Sequence, residues 1–292
     1  MRKSSLFLAP LLVLFSIATP AREAGMVEGL QSPAWIERQG AIVPVVPGMM
    51  LRPADRLRTG SGGRLLLRLA EGSHVRLGEN ARFHLARLAP PTEPGGPFAG
   101  LLKVAKGAFR FTTTLLSRSH RRNLDIRVAA VTAGILGTDI WGRASPDEDI
   151  VCLIEGDITV GRDGAPTVTM NEPLSFYMAP TEGPPKALAR VSEEQLAEWA
   201  KQTELTAGQG VQVVGGRWHV VLAAFRDAGR ATAALRVLHE QGEPAQTSMV
   251  EVEGKRWHRL VVFNFKDRRE AEAYAARPEI MARHSDAWPY RR

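Results

Sequence analysis

Across 292 residues there is a single cysteine, Cys152. No disulfide can close within the chain, so its stability has to come from an ordinary apolar core. Past the first 18 residues no segment approaches the roughly 18 consecutive apolar residues that a membrane helix needs. Missing as well are a phosphate-binding glycine loop, a nucleophile beside a base, and histidines or cysteines at metal-ligand spacing. The expectation is therefore no catalytic residue, no metal and no cofactor. Charge of one sign is also not concentrated anywhere: 38 Lys and Arg against 31 Asp and Glu give a net charge of +7, with both signs interleaved. The densest basic run, Arg118, Arg121, Arg122 and Arg127, is broken by Asp125 and reads as a solvated loop. A pI near 10 is compatible with nucleic acid, an anionic membrane or an anionic wall polymer.

The first 21 residues choose among these. Arg2 and Lys3 precede a mostly apolar stretch over 6–18, interrupted by Pro10. Small residues follow at Ser16-Ile17-Ala18 and Thr19-Pro20-Ala21. This is the form of a secretory signal peptide over 1–21, too short to span a bilayer comfortably. The mature protein is predicted to be soluble in a bacterial periplasm, with no stable membrane span after cleavage. That compartment argues against nucleic acid as a partner. Cleavage of the signal and its retention as an anchor are both open.

Residues 25–178 read as an all-β roll or sandwich: short apolar runs separated by Gly, Pro, Asn and Asp, with almost no helical periodicity. Strands are predicted over 41–46, 64–69 and 73–77, the last two joined by a hairpin at Glu71-Gly72. Alternation puts Val75 and Leu77 inside and His74 on the wet face. After a Pro/Gly-rich loop over 90–100, strand character returns at 101–104 and 108–111, around Lys106-Gly107. The centre of the region is 126–161. Its glycines Gly134 and Gly137 fit a sharp turn or a close backbone approach. Residues 153–160 have strand, Glu155-Gly156-Asp157 turn, strand grammar. Cys152, between Val151 and Leu153, reads as a small buried hydrophobe. Asp139, Glu155 and Asp157 could act as paired carboxylates in hydrolysis, but their Gly-rich contexts fit turns and caps better.

These residues form a pattern. Asp55 to Gly60 (DRLRTG), Gly72 with Val75-Arg76-Leu77-Gly78, Gly107, then Gly134, Gly137, Thr138, Asp139 and Gly156 resemble, in order and spacing, the FecR domain over about 130 residues. Glu71-Gly72 stands where that family has Asp-Gly. The resemblance implies an extracytoplasmic all-β module that binds a partner or ligand. In some members it relays a signal from an outer-membrane receptor to an anti-sigma segment through a membrane helix. That sigma-regulatory role is not carried over here, and a sensing accessory of an envelope pathway is the alternative.

A linker is predicted over 179–213. It holds a short helix near 192–202, capped by Ser192, whose Leu196 and Trp199 dock it on the β domain. Residues 206–216 read as loop. From 214 to 292 strand and helix patterns alternate as β-α-β-β-α-β, a ferredoxin-like α+β arrangement with both helices on one face of a four-stranded sheet. Val220, Leu222, Leu260 and Val262 are expected inward. His219, Val221, Ala223, Trp257, Arg259, Val261 and Phe263 are expected on the open side, and His219 and His258 fall on opposite faces.

Trp218 to Leu222 with Phe225, Gly242, Trp257 to Val261, Phe265 and the Glu270-Ala271 helix resemble the SPOR domain over roughly 75 residues. The resemblance implies binding of peptidoglycan glycan strands, especially those denuded of stem peptides at cell division sites. The family often has Gln at the place of Val221 and Gly-Pro at that of Phe263-Asn264. His219, Val221, Trp257, Arg259, Val261 and Phe263 are the expected glycan-binding set: rings cover apolar sugar faces while donors bind hydroxyls. The competing expectation packs Trp257 and Phe263 against the linker or the first domain. The same topology serves RNA through stacked aromatics, which the export signal disfavours. The reading is a non-enzymatic periplasmic protein that binds glycan and an envelope protein partner. A wall hydrolase has no support beyond the carboxylates.

Overall fold

The computed structural model describes residues 23–89, 98–113, 122–135 and 137–291. The predicted signal peptide, residues 90–97 of the Pro/Gly-rich loop, Leu136, Arg118 and Arg121 lie outside the described residues.

Two sheets enclose the first core. One runs, neighbour to neighbour, from Gly25–Gln31 through Arg64–Leu69, His74–Leu77 and the second half of Phe98–Thr112. It continues through Asp139–Ala144 and Glu148–Glu155 to Ser175–Pro180. The other runs from Ala41–Pro44 through Ala34–Arg38, Arg56–Thr59 and Arg82–Ala89 to the first half of Phe98–Thr112. From there it passes through Arg122–Val128 and Val131–Ile135 to Ile158–Arg162. Alternate residues face across the gap: Leu65, Leu67 and Val75 from the first sheet and Leu57, Leu85 and Leu102 from the second share one buried cluster. This is the sandwich that period-two patterning predicts.

Two expectations change at the joints between layers. Residues 101–104 and 108–111 are not separate strands; Phe98–Thr112 is one strand of 15 residues that serves both sheets. It bends at Gly107, where φ is +88° and a Cβ would stand 2.7 Å from the Ala81 backbone. Only glycine meets both demands. The Glu71-Gly72 hairpin forms, with Leu67 opposite Val75, but Glu155-Gly156-Asp157 does not close a second one. Glu148–Glu155 lies in the first sheet and Ile158–Arg162 in the second, so this turn is a corner between layers.

The other motif residues hold the sandwich. Asp55, buried, accepts a forked pair from Arg38 at 2.8 and 2.7 Å and the Arg52 amide at 2.7 Å. Asp139 takes the same fork from Arg110 at 2.9 and 2.7 Å, which commits that carboxylate to a structural ion pair. A Cβ on Gly60, Gly134 or Gly156 would meet Pro33, Thr159 or Thr138 within 2.9 Å, and Gly137 turns the chain at φ +114°. Thr138, buried, takes the Thr113 amide on its carbonyl. His74 is on the outer face as expected, but paired: its Nε2 is 3.0 Å from Glu28.

The helix Glu193–Lys201 closes the outer face of the first sheet. The Ser192 hydroxyl accepts the Gln195 amide, which caps it. Trp199 stacks on Trp141 with centroids 4.7 Å apart and planes 16° from parallel. Beneath this pair lies a second small core with Ala108, Ile150 and Cys152. Burial pushes the Cys152 thiol up to about 12.

The C-terminal part has the expected strand and helix order, from Trp218–Phe225, Ala228–Glu240, Ala245–Val252 and Lys255–Phe265 to Arg268–Ala275 and Trp288–Arg291. A short helix, Pro278–Met281, is added before the last strand. Asp227 and Asp267 cap the two longer helices. Val220, Leu222, Leu260 and Val262 pack inward with Ala231, Leu238 and Tyr274 of those helices.

The stretch at 206–216 is not all loop. Gln212–Val213 is a two-residue strand paired both with Gly29 and Leu30 of the sandwich and with Phe265 of the C-terminal sheet. Beside it, the buried Glu270 carboxylate accepts the amides of Gly208, Gly210 and Val211 at 2.7, 3.0 and 2.9 Å. A second buried carboxylate, Glu243, accepts hydroxyl protons from Ser32 at 2.7 Å and Tyr274 at 2.8 Å. Arg277 stands 3.9 Å from Glu243 and donates to the Ser32 carbonyl and hydroxyl. Next to this cluster the Trp35 indole donates to the His239 carbonyl, and its ring lies where a Gly242 Cβ would be, at 2.6 Å. The two folded parts thus meet through a continuous hydrogen-bonded and close-packed seam.

Candidate functional site

Antiparallel pairing places directly opposed residues on one face of a sheet. On the side of the C-terminal sheet away from its helices, one row contains Trp288, Val221, Val261 and Gln246. The next row toward the seam holds Tyr290, His219 and Phe263. The His219 ring lies 5.0 Å from Phe263, nearly edge-on, and 5.2 Å from Tyr290. The His219 Nδ1 accepts the Asn264 amide at 3.2 Å, so the ring is held by backbone as well as by its aromatic neighbours. Asn264 has φ +68°, a conformation that asparagine tolerates better than most side chains.

These residues enclose a shallow depression of about 430 Å³, lined by Gly216, Arg217, His219, Gln246, Phe263 and Asn264. A ring edge, a guanidinium and two side-chain amides face one open space. Such a set suits a neutral, hydroxyl- and acetamido-rich ligand better than an ion or a purely apolar one.

The six expected site residues are divided by this geometry. His219 and Phe263 are brought together at the depression. Val221 and Val261 are paired but fully buried, both at 0% exposure. They sit at the sheet centre between Trp288 and Gln246 and neither lines the depression, so they are not contact residues. His219, expected exposed, is 5% exposed and works as a wall. Trp257 and Arg259 lie at the other end of the strand. Phe263 lies six positions after Trp257, roughly 20 Å in extended chain. Trp257 instead carries the Arg226 guanidinium over its ring at 5.1 Å.

A bulge between Val221 and Ala223 also changes the parity. Ala223 faces the inward Leu260, and Ala224 takes its place opposite Arg259. Gln246 and Arg217 were missed, and Asn264 was marked only as a departure from the family pattern beside Phe263. The parity of strand 245–252 against Val261 was the available signal for Gln246. Among the described residues, no group of three His, Cys, Asp or Glu could hold a metal ion, and no helix is long and apolar enough to cross a membrane.

Comparison with known proteins finds two family matches, one in each folded part of the chain. Residues 55–159 match the family model described as FecR protein, and residues 214–290 match the SPOR domain. No curated protein matches. Two crystal structures of candidate anti-sigma factors from Parabacteroides distasonis ATCC 8503 are similar, at 16% and 10% identity and a TM-score of 0.41 each. The first similarity covers 50% of this chain and 63% of that one; the second covers 69% and 96%. The chain therefore carries a FecR domain over residues 55–159 and a C-terminal SPOR domain over residues 214–290.

Proposed function

We propose that this is a non-enzymatic periplasmic protein whose SPOR domain binds peptidoglycan glycan strands and whose FecR domain binds an envelope partner or ligand. The observation that carries the glycan half is the depression at His219, Phe263, Gln246 and Asn264. An aromatic wall supplies the apolar contact for a sugar ring, and the amides and Arg217 supply donors and acceptors for hydroxyl and acetamido groups. Arg259 and Trp257 extend the same face and would contact further sugars of a long strand.

The test is pelleting of residues 22–292 with amidase-treated sacculi. A fragment beginning at 214 is unsuitable, because it strips Glu270 of its three amide donors. Phe263→Ala and Gln246→Ala are each expected to weaken pelleting about tenfold, the loss of roughly 1.4 kcal/mol. Val261→Ala should act on stability alone. Wild-type protein that stays in the supernatant, or a Phe263→Ala variant that pellets as well as wild type, would remove the glycan assignment.

A further inference from the structure

The outer face of the second sheet of the sandwich carries a charge pattern that nothing in the fold requires. Cross-strand pairing builds two rows on it. Glu37, Arg56, His84 and Lys103 stand side by side in one. Trp35, Arg58, Arg82 and Lys106 stand side by side in the next. Like charges directly opposed across strands are destabilising, yet Arg58 faces Arg82 and Arg82 faces Lys106. Compensation is thin. Glu37 reaches only Arg56, at 3.9 Å. Arg58 lies over the Trp35 ring at 4.5 Å, and its Nε is buried with no hydrogen-bond acceptor. No carboxylate pairs with Arg82, Lys103 or Lys106 among the described residues.

The rows border a concavity of about 340 Å³ lined by Arg56, Arg58, Arg82, His84, Lys103 and Ile42, among others. His84 is held below its ordinary pKa by burial first, then by Arg56 and Lys103, as expected where the local potential is positive. At the rim is the edge strand Ala41–Pro44, paired on one side only. There Ile42 and Val43 are 53% and 42% exposed.

We propose that this face docks on the surface of a bilayer rich in anionic phospholipid, with the cation rows on phosphodiester headgroups and the aliphatic edge in the interfacial layer. The pairing of charge with exposed aliphatics selects this occupant. A soluble anion would use the cations and leave the exposed Ile42, which stands in the same row as Glu37 and Arg56, without a role, whereas a membrane interface engages both. This inference is independent of the glycan reading, since the two sites share no lining residue.

The experiment is flotation of residues 22–292, which contain every described residue, with phosphatidylglycerol-containing vesicles and with pure phosphatidylcholine vesicles. Expected are binding to the anionic vesicles only, a decline with rising salt, and at least a tenfold loss in the Arg82→Glu, Lys103→Glu double variant. The same loss is expected in Arg82→Gln, Lys103→Gln, should charge reversal impair folding. Ile42→Asp should weaken binding without altering sacculus pelleting. Equal binding to both vesicle types overturns the proposal. So does undiminished binding by both double variants, or complete competition by soluble glycerol phosphate, which would make the concavity a small-ligand site. Capture of an acidic protein segment with no vesicle binding would reassign the face to a protein partner.

Discussion

Cys152 lies in the small core beneath the Trp141–Trp199 stack, and its thiol, pushed up to about 12, is almost wholly protonated at about pH 8. Folded protein should resist maleimide at that pH, and protein in denaturant should label fully; rapid labelling of the folded form would contradict the packing. Glu243 provides a second residue-scale test. Burial, its largest influence, raises its pKa, while Arg277 and the Ser32 and Tyr274 hydroxyls pull it down without cancelling the effect. A carboxyl raised on folding contributes stability that is complete below the ordinary carboxylate range and is lost as pH climbs through the folded value. Wild-type thermal stability should therefore fall, relative to Glu243→Gln, as pH rises from about 4 to about 7. Parallel curves for the two proteins would show that folding does not shift the Glu243 pKa. Glu243→Ala removes the acceptor of the Ser32 and Tyr274 hydroxyls and the counter-charge of Arg277, and should cost about 3 kcal/mol near neutral pH.

At the scale of single elements, the helix Glu193–Lys201 is held by few contacts, and Trp199 dominates them through Trp141 and Phe176. Trp199→Ala should lower unfolding free energy by about 2 kcal/mol in urea and quench less of the Trp141 emission. A change under half a kcal/mol would mean that the stack adds nothing. This helix shows what a sequence discloses well: its cap and its docking side chains are all within a few residues of each other. The Glu71-Gly72 hairpin and the inward positions Val220, Leu222, Leu260 and Val262 were legible for the same reason. What escaped depends on distant partners. Glu155-Gly156-Asp157 has the same local chemistry whether the next strand folds back or crosses to the other layer. Gln212–Val213 looks like loop because the strands it joins are about 180 residues before it and about 50 after it. At the candidate site, alternation found the face. It could not anticipate a bulge at Val221 and Ala223, or that Val221 and Val261 would be fully buried.

On the scale of the whole molecule, the seam at Ser32, Trp35, Glu243 and Arg277 makes the sandwich and the SPOR domain neighbours in packing as well as in sequence. Calorimetry of residues 22–292 should accordingly give one cooperative transition. Gly242→Val, which forces a branched side chain at φ +77° into the Trp35 ring, should split it in two or lower the midpoint by several degrees. Two separated transitions in the wild-type protein would mean that the seam contributes little coupling. Where such coupling holds, the pairing of Gln212 and Val213 with strands on either side has a mechanical meaning. A molecule gripping sugar polymer at one end and another envelope component at the other would feel any stretching of the envelope as a pull along this short splice. Backbone hydrogen bonds loaded side by side in shear must give way together rather than one after another, so the junction would behave as a stiff strut between two anchored layers.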